Sequence, residues 1–173
     1  MEEEKVYKII SWVLMPFTVL VGLSGVGLLL TALLYPPAFM SAIFVVGVVV
    51  YTIISQRFFK RNICRNAKAK MSVQLWIRVS AFFVIGYIME TVQQGIEMLS
   101  FDKDSLKQAL QSEISQVQSI LHQSSLPVFS VDMLYNFSRG ITIAFLVYAL
   151  LLLLHLLLSF LFLKRYRYLF EKQ

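Results

Sequence analysis

Hydrophobic residues along this chain form long unbroken runs rather than the alternating pattern of a half-buried strand. Each run is close to or above the roughly 20 residues that a helix needs to cross about 30 Å of hydrocarbon. Backbone amides and carbonyls in lipid must hydrogen-bond within the chain, so these runs are expected to be helical. The pattern predicts an all-α membrane protein, a single integral membrane domain over residues 1–173, with four transmembrane helices at about 9–35, 38–55, 73–99 and 137–163.

The composition separates the chain further from soluble proteins. Hydrophobic residues make up 58% of it and charged residues 15%, against roughly 45–50% and about 25% in soluble domains. The single cysteine, Cys64, excludes an internal disulfide or a two-cysteine redox pair. The sequence contains no Gly-rich phosphate loop, HExxH zinc motif or GxSxG nucleophile motif. We therefore expect a protein that is not an enzyme and that has no cofactor and no metal site.

The positions of lysine and arginine predict the orientation in the membrane. Thirteen of the sixteen basic residues precede the first hydrophobic run, lie between Arg57 and Arg78, or follow the fourth run. Cytoplasmic segments of membrane proteins carry an excess of Lys and Arg, so both termini are predicted to be cytoplasmic. Short loops and the lack of an organellar targeting signal favour a bacterial inner membrane as the location. The three basic residues predicted on the outer side are Lys103, Lys107 and Arg139.

A basic cytoplasmic loop is predicted at 56–72. If the second helix continues beyond the membrane, steps of three and four residues place its bases on one stripe beside an apolar one. Such a stripe suits anionic lipid headgroups or a docking protein, although the more ordinary interpretation is a determinant of topology. No recognisable nucleic-acid-binding fold accompanies it, so no nucleic-acid partner is expected. The residues concerned are Arg57, Lys60, Arg61, Arg65 and Lys68.

The outer segment, 100–136, predicts an extracytoplasmic amphipathic helix between the third and fourth spans. Asp104 or Ser105 can cap it, and apolar residues then recur every three or four positions as far as Leu121. A helix of this length is not stable alone in water. Its apolar face is therefore expected to lie on the membrane surface, on the helix bundle or on a partner chain.

The third helix carries polar residues in a stretch predicted to cross the membrane. Glu90, Gln93, Gln94 and Glu97 follow the i, i+3, i+4, i+7 spacing of a single helix face. If Arg78 marks the inner boundary, Glu90 lies about 18 Å further along the axis, at or slightly beyond the midplane. A carboxylate in hydrocarbon costs several kcal/mol, so this face is expected to meet protein, water or a partner subunit.

Three interpretations of this face remain open. Glu90 can carry a proton or cation, the face can dock on another membrane protein, or it can pair within the chain, for example with Arg139. His155 lies on a different side of the fourth helix from Arg139, and it suits either a hydrogen bond within the bundle or a proton relay with Glu90.

The sequence favours a subunit or accessory component of a membrane complex. Its partner is expected to be another membrane protein or a second copy of the chain, bound through the polar face of the third helix. The alternative is a small proton- or ion-coupled transporter or channel element that uses Glu90.

Overall fold

The computed structural model describes residues 2–100, 104, 105, 108, 112 and 131–170, with the backbone alone at Val131. Within these residues the chain forms four long α-helices. A π-helix at Phe59–Ile63 extends the second of them, and a short 3₁₀ turn at Arg167–Leu169 follows the fourth. The α-helices are α1 (Glu2–Leu34), α2 (Ala38–Phe58), α3 (Met71–Ser100) and α4 (Val131–Arg165).

All four helices are long and apolar enough to cross a membrane, which confirms the predicted all-α membrane protein at that level. Only Tyr35, Pro36 and Pro37 separate α1 from α2, because the two prolines cannot continue the α1 hydrogen-bond pattern. Of the outer segment, the structure describes Ser100, Asp104, Ser105, Gln108, Ser112 and residues 131–136, all of them helical. The predicted amphipathic face lies outside the described residues.

The chain divides into two compact units, Met1–Glu90 with Tyr148–Gln173, and Thr91–Val147. In the first unit α1, α2, α3 and the second half of α4 share one core. Side chains from each of these four helices are fully buried there, among them Leu14, Val48, Ile77, Val84 and Leu152.

Two glycines bring α2 and α3 close together. A methyl carbon added to Gly47 would overlap the Cβ atom of Phe83, and one added to Gly86 would lie 2.6 Å from Cε1 of Phe44. Each helix therefore presents a phenyl ring to a glycine of the other. Three residues back along α2 correspond to three residues forward along α3, so the two helices are antiparallel with a register set by these contacts.

Three segments meet at the end of the first unit where α1 begins and α4 ends. Arg165 at the end of α4 forms an ion pair with Glu3 at the start of α1. The Ala69 amide, in the loop after α2, donates a hydrogen bond of 2.9 Å to the Leu169 carbonyl. The start of α1, the loop and the C-terminal segment, which contain most of the basic residues, consequently lie side by side.

Candidate functional site

Glu90, the last α3 residue of the first unit, is tied to α2. Ser41 Oγ donates a hydrogen bond to Glu90 Oε1, and both side chains are half-buried. This contact extends the register of the Phe44–Gly86 pair by about one helical turn. Ser41 lies in the first turn of α2, so Glu90 lies near the end of the unit at which α1 turns into α2.

The midplane level predicted for Glu90 depends on Arg78 as the inner boundary. The contact between Gly47 and Phe83 places Arg78 beside Thr52, well inside α2 rather than at its basic end. Arg78 is exposed, and a long arginine side chain can run along a helix to reach the headgroups. The Glu90 carboxylate lies about 5 Å from the start of α2, measured along the helix axis.

The rest of the polar face belongs to the second unit, where it is exposed. We call Gln93, Gln94 and Glu97 the α3 polar face. Gln93 Nε2 donates a hydrogen bond of 3.0 Å to Glu97 Oε1, and all three side chains are exposed. At 100° per residue they cover an arc of about 100°. They therefore form one continuous polar surface.

The neighbouring faces of the same two turns have different environments. Gly95 meets α4, where an added methyl carbon would lie 2.7 Å from Cδ2 of Leu146. Val92, Ile96 and Leu99 are exposed, and at 100° per residue they lie on the side of α3 away from the polar face. This part of α3 thus has a packed side, an exposed apolar side and an exposed polar side.

Arg139, the intrachain partner considered from the sequence, is exposed on α4. Among the described residues it forms no ion pair with an acid. Glu90 instead accepts the hydrogen bond from Ser41. Across the described part of the chain, no three His, Cys, Asp or Glu side chains are grouped as a metal ion would require.

His155 lies at the centre of a buried polar cluster between α1, α2 and α4. Its imidazole Nε2 is 3.0 Å from Ser11 Oγ, and its Nδ1 is 3.3 Å from the Tyr51 hydroxyl. Tyr51 also donates a hydrogen bond of 2.9 Å to Ser159 Oγ. The Tyr7 ring stacks on the imidazole at 4.4 Å between ring centroids. Because Tyr51 donates its single proton to Ser159, this arrangement is satisfied when Nδ1–H of His155 donates to the Tyr51 oxygen and Nε2 accepts from the Ser11 hydroxyl.

The cluster is fully hydrogen-bonded, since no described buried side-chain nitrogen or oxygen lacks a partner. The side chain of His155 is 0% exposed. Steps of seven and four residues place Tyr148, His155 and Ser159 on one face of α4. The spacing could not identify Ser11 and Tyr51, because they lie on other helices. The hydrogen bonds of this cluster therefore join three helices of the first unit.

The basic residues after α2 do not form the single stripe that a continuing α-helix would give. Because α2 passes into a π-helix at Phe59, the bases divide between two grooves. Lys60 and Arg65 line a groove of about 630 Å³ beside α1, which we call the α1-side groove. A second groove of about 450 Å³ beside α3, the α3-side groove, is lined by other bases, which are Arg57, Arg61, Lys68 and Lys70.

Comparison with protein-family models, curated proteins and solved structures finds no match to this chain. Its function is therefore inferred from its own residues.

Proposed function

We propose that this chain is a non-enzymatic subunit or accessory component of a membrane complex, and that it docks on its partner through the α3 polar face. The partner is another integral membrane protein or a second copy of the chain. Amide and carboxylate side chains hydrogen-bond across helices and so select particular neighbours.

The observation that supports this proposal is the exposure of Gln93, Gln94 and Glu97 in a helix that can span a membrane. The Gln93–Glu97 hydrogen bond holds the two side chains in a defined arrangement before a partner binds. Glu97 is about 10 Å beyond Glu90 along the axis of α3. The docking surface would then lie toward the outer headgroups, where polar side chains are less costly than at the bilayer centre.

The proposed orientation has both termini in the cytoplasm of a bacterial cell, with the protein in the inner membrane. The Glu3–Arg165 ion pair and the Ala69–Leu169 hydrogen bond keep the main basic segments at one end of the first unit. An excess of Lys and Arg marks the cytoplasmic side of a membrane protein. The outer segment would place its amphipathic helix on the opposite side.

A second proposed function, a proton- or ion-coupled transport element, depends on the half-buried carboxylate of Glu90. Glu90→Gln keeps the side-chain size and the ability to accept a hydrogen bond from Ser41 but removes the ionisable group. Purified protein in liposomes distinguishes the two functions. Unchanged proton and cation flux in the variant excludes the transport element, whereas lost flux with intact partner binding supports it.

The docking proposal is tested by co-purification in mild detergent. The triple variant Gln93→Leu, Gln94→Leu, Glu97→Leu removes every polar group of the α3 polar face. It is expected to lose the partner that travels with the native chain, or the dimer if the partner is a second copy.

A matched control changes three exposed positions on the apolar side of the same turns, Val92→Ala, Ile96→Ala and Leu99→Ala. This control is expected to keep the partner. If the polar triple variant retains all co-purifying chains at native stoichiometry, docking through this face is excluded.

A further inference from the structure

The α1-side groove combines an apolar wall with an open basic rim. Its wall includes Ile9, Trp12 and Met15 of α1 and Phe59 of the π-helix. Trp12 is 81% exposed, so the groove is open toward the surface that would face lipid. Its volume of about 630 Å³ falls within the range of small-molecule sites.

Three basic side chains surround this groove. Lys8 approaches from α1, and Lys60 and Arg65 approach from the segment after α2. All three are exposed, and none forms a side-chain ion pair or hydrogen bond with another described residue. No acidic side chain lines the groove. Its rim therefore carries uncompensated positive charge directly beside an apolar surface.

The π-helix explains why Lys60 and Arg65 lie on the same side. In an α-helix, residues five apart point about 140° away from each other. A π-turn bonds residue i to residue i+5 and brings that spacing onto one face, as in the Cys64 amide to Phe59 carbonyl bond of 3.0 Å. Two pairs with this spacing, Phe59 with Cys64 and Lys60 with Arg65, line the groove.

The turn that carries Arg65 is held by a buried side chain. Asn62 Nδ2 donates hydrogen bonds to the Ala67 carbonyl at 3.0 Å and to the Lys68 carbonyl at 2.9 Å. Asn66, which lies between Asn62 and Ala67 in the chain, has a φ of 51°. This is a left-handed conformation that asparagine tolerates better than most residues. The bases are thus presented by a built turn rather than by a flexible tail.

We propose that the α1-side groove binds one anionic glycerophospholipid, with its phosphate between Lys8, Lys60 and Arg65 and an acyl chain against Trp12 and Met15. Charge complementarity selects the anionic headgroup, and the apolar wall requires a lipid rather than a soluble phosphate. This site is distinct from the α3 polar face and does not depend on the docking proposal.

The two tryptophans allow a direct test in nanodiscs of phosphatidylcholine that contain phosphatidylglycerol. Trp76→Phe leaves Trp12 as the reporter of the α1-side groove, and Trp12→Phe leaves Trp76, which lines the α3-side groove. Either lipid is supplied with brominated acyl chains, which quench tryptophan fluorescence on contact. At equal mole fraction, brominated phosphatidylglycerol is expected to quench Trp12 at least about threefold more effectively than brominated phosphatidylcholine.

Two double variants that each remove two positive charges show which basic residues cause the preference for the anionic lipid at Trp12. Lys60→Ala with Arg65→Ala is expected to abolish the anionic preference at Trp12, and Arg57→Ala with Arg61→Ala is expected to retain it. Lys8→Ala, on a different helix, is expected to reduce the preference. Far-ultraviolet circular dichroism verifies that each variant is folded.

Equal quenching by the two lipids at Trp12 overturns the proposal. An equal loss in the two double variants also overturns it, because that result indicates a diffuse surface charge. Complete relief of quenching by soluble glycerol phosphate would mean that the groove recognises a free phosphate and not a lipid.

Discussion

Ser11 Oγ on α1 lies 3.0 Å from Nε2 of His155 on α4, across the centre of the first unit. The other ring nitrogen of His155 faces Tyr51 on α2. One imidazole therefore joins three helices. In a membrane, where apolar packing is nearly as favourable against lipid as against protein, such interhelical hydrogen bonds help to specify which helices pair.

His155→Ala is expected to lower the free energy of unfolding by about 2 to 4 kcal/mol, because it leaves a cavity and removes a partner from Ser11 and Tyr51. Leu154→Ala is the control, since Leu154 is 42% exposed on the same helix. It is expected to cost less than about 1 kcal/mol. Reversible unfolding in mixed micelles measures both, and equal losses would show that the cluster adds no stability.

Gly47→Ala is expected to lower the free energy of unfolding by about 1 to 3 kcal/mol, because the added methyl overlaps Phe83 and forces α2 and α3 apart. The same change at Gly27, where nothing lies within 4 Å of the added carbon, is expected to be neutral or to stabilise by up to about 1 kcal/mol. Thermal unfolding in detergent compares the two. A Gly47→Ala protein as stable as the Gly27→Ala protein would contradict the close α2–α3 contact.

Tyr166, just beyond the end of α4, donates a hydrogen bond of 2.6 Å to Glu4 Oε1. This bond to a carboxylate, with smaller contributions from burial and charge, raises the pKa of Tyr166 from 10.0 to about 12. The neutral phenol is favoured by the fold. The contribution of the Tyr166–Glu4 hydrogen bond to the free energy of unfolding is therefore complete below about pH 10 and is lost as the pH rises toward 12.

The tyrosinate absorbance of the native chain minus that of Tyr166→Phe reports this titration. Glu4→Gln is expected to shift its midpoint from about 12 toward 10.0. A midpoint that stays near 12 in Glu4→Gln would exclude the carboxylate as the main cause.

The sequence was sufficient to predict the helices, because a bilayer leaves the backbone few alternatives and the apolar runs have the required length. It was not sufficient to predict the register between helices. The level of Glu90 depends on the fit of Phe83 against Gly47 and of Phe44 against Gly86, a packing relationship that the spacing within one helix does not contain.

The same limit applies to the other sites. The sequence identified His155 as a polar residue within the fourth span, but its neighbours Ser11 and Tyr51 come from distant segments. The basic residues were recognised by composition, whereas their division between two grooves follows from the π-helix at Phe59–Ile63. A local change of helical period has no signature in the hydrophobic pattern.

Site-specific photocrosslinking in intact cells tests docking through the α3 polar face most directly. Two variants of the chain are made, one with a photoreactive amino acid in place of Gln93. The other carries it in place of Val92, on the exposed apolar side of α3. At Gln93 the account predicts a discrete protein adduct, at about twice 19.9 kDa if the partner is a second copy, and at Val92 it predicts mainly lipid adducts. Adducts to lipid alone at Gln93, or identical protein adducts at both positions, would contradict it.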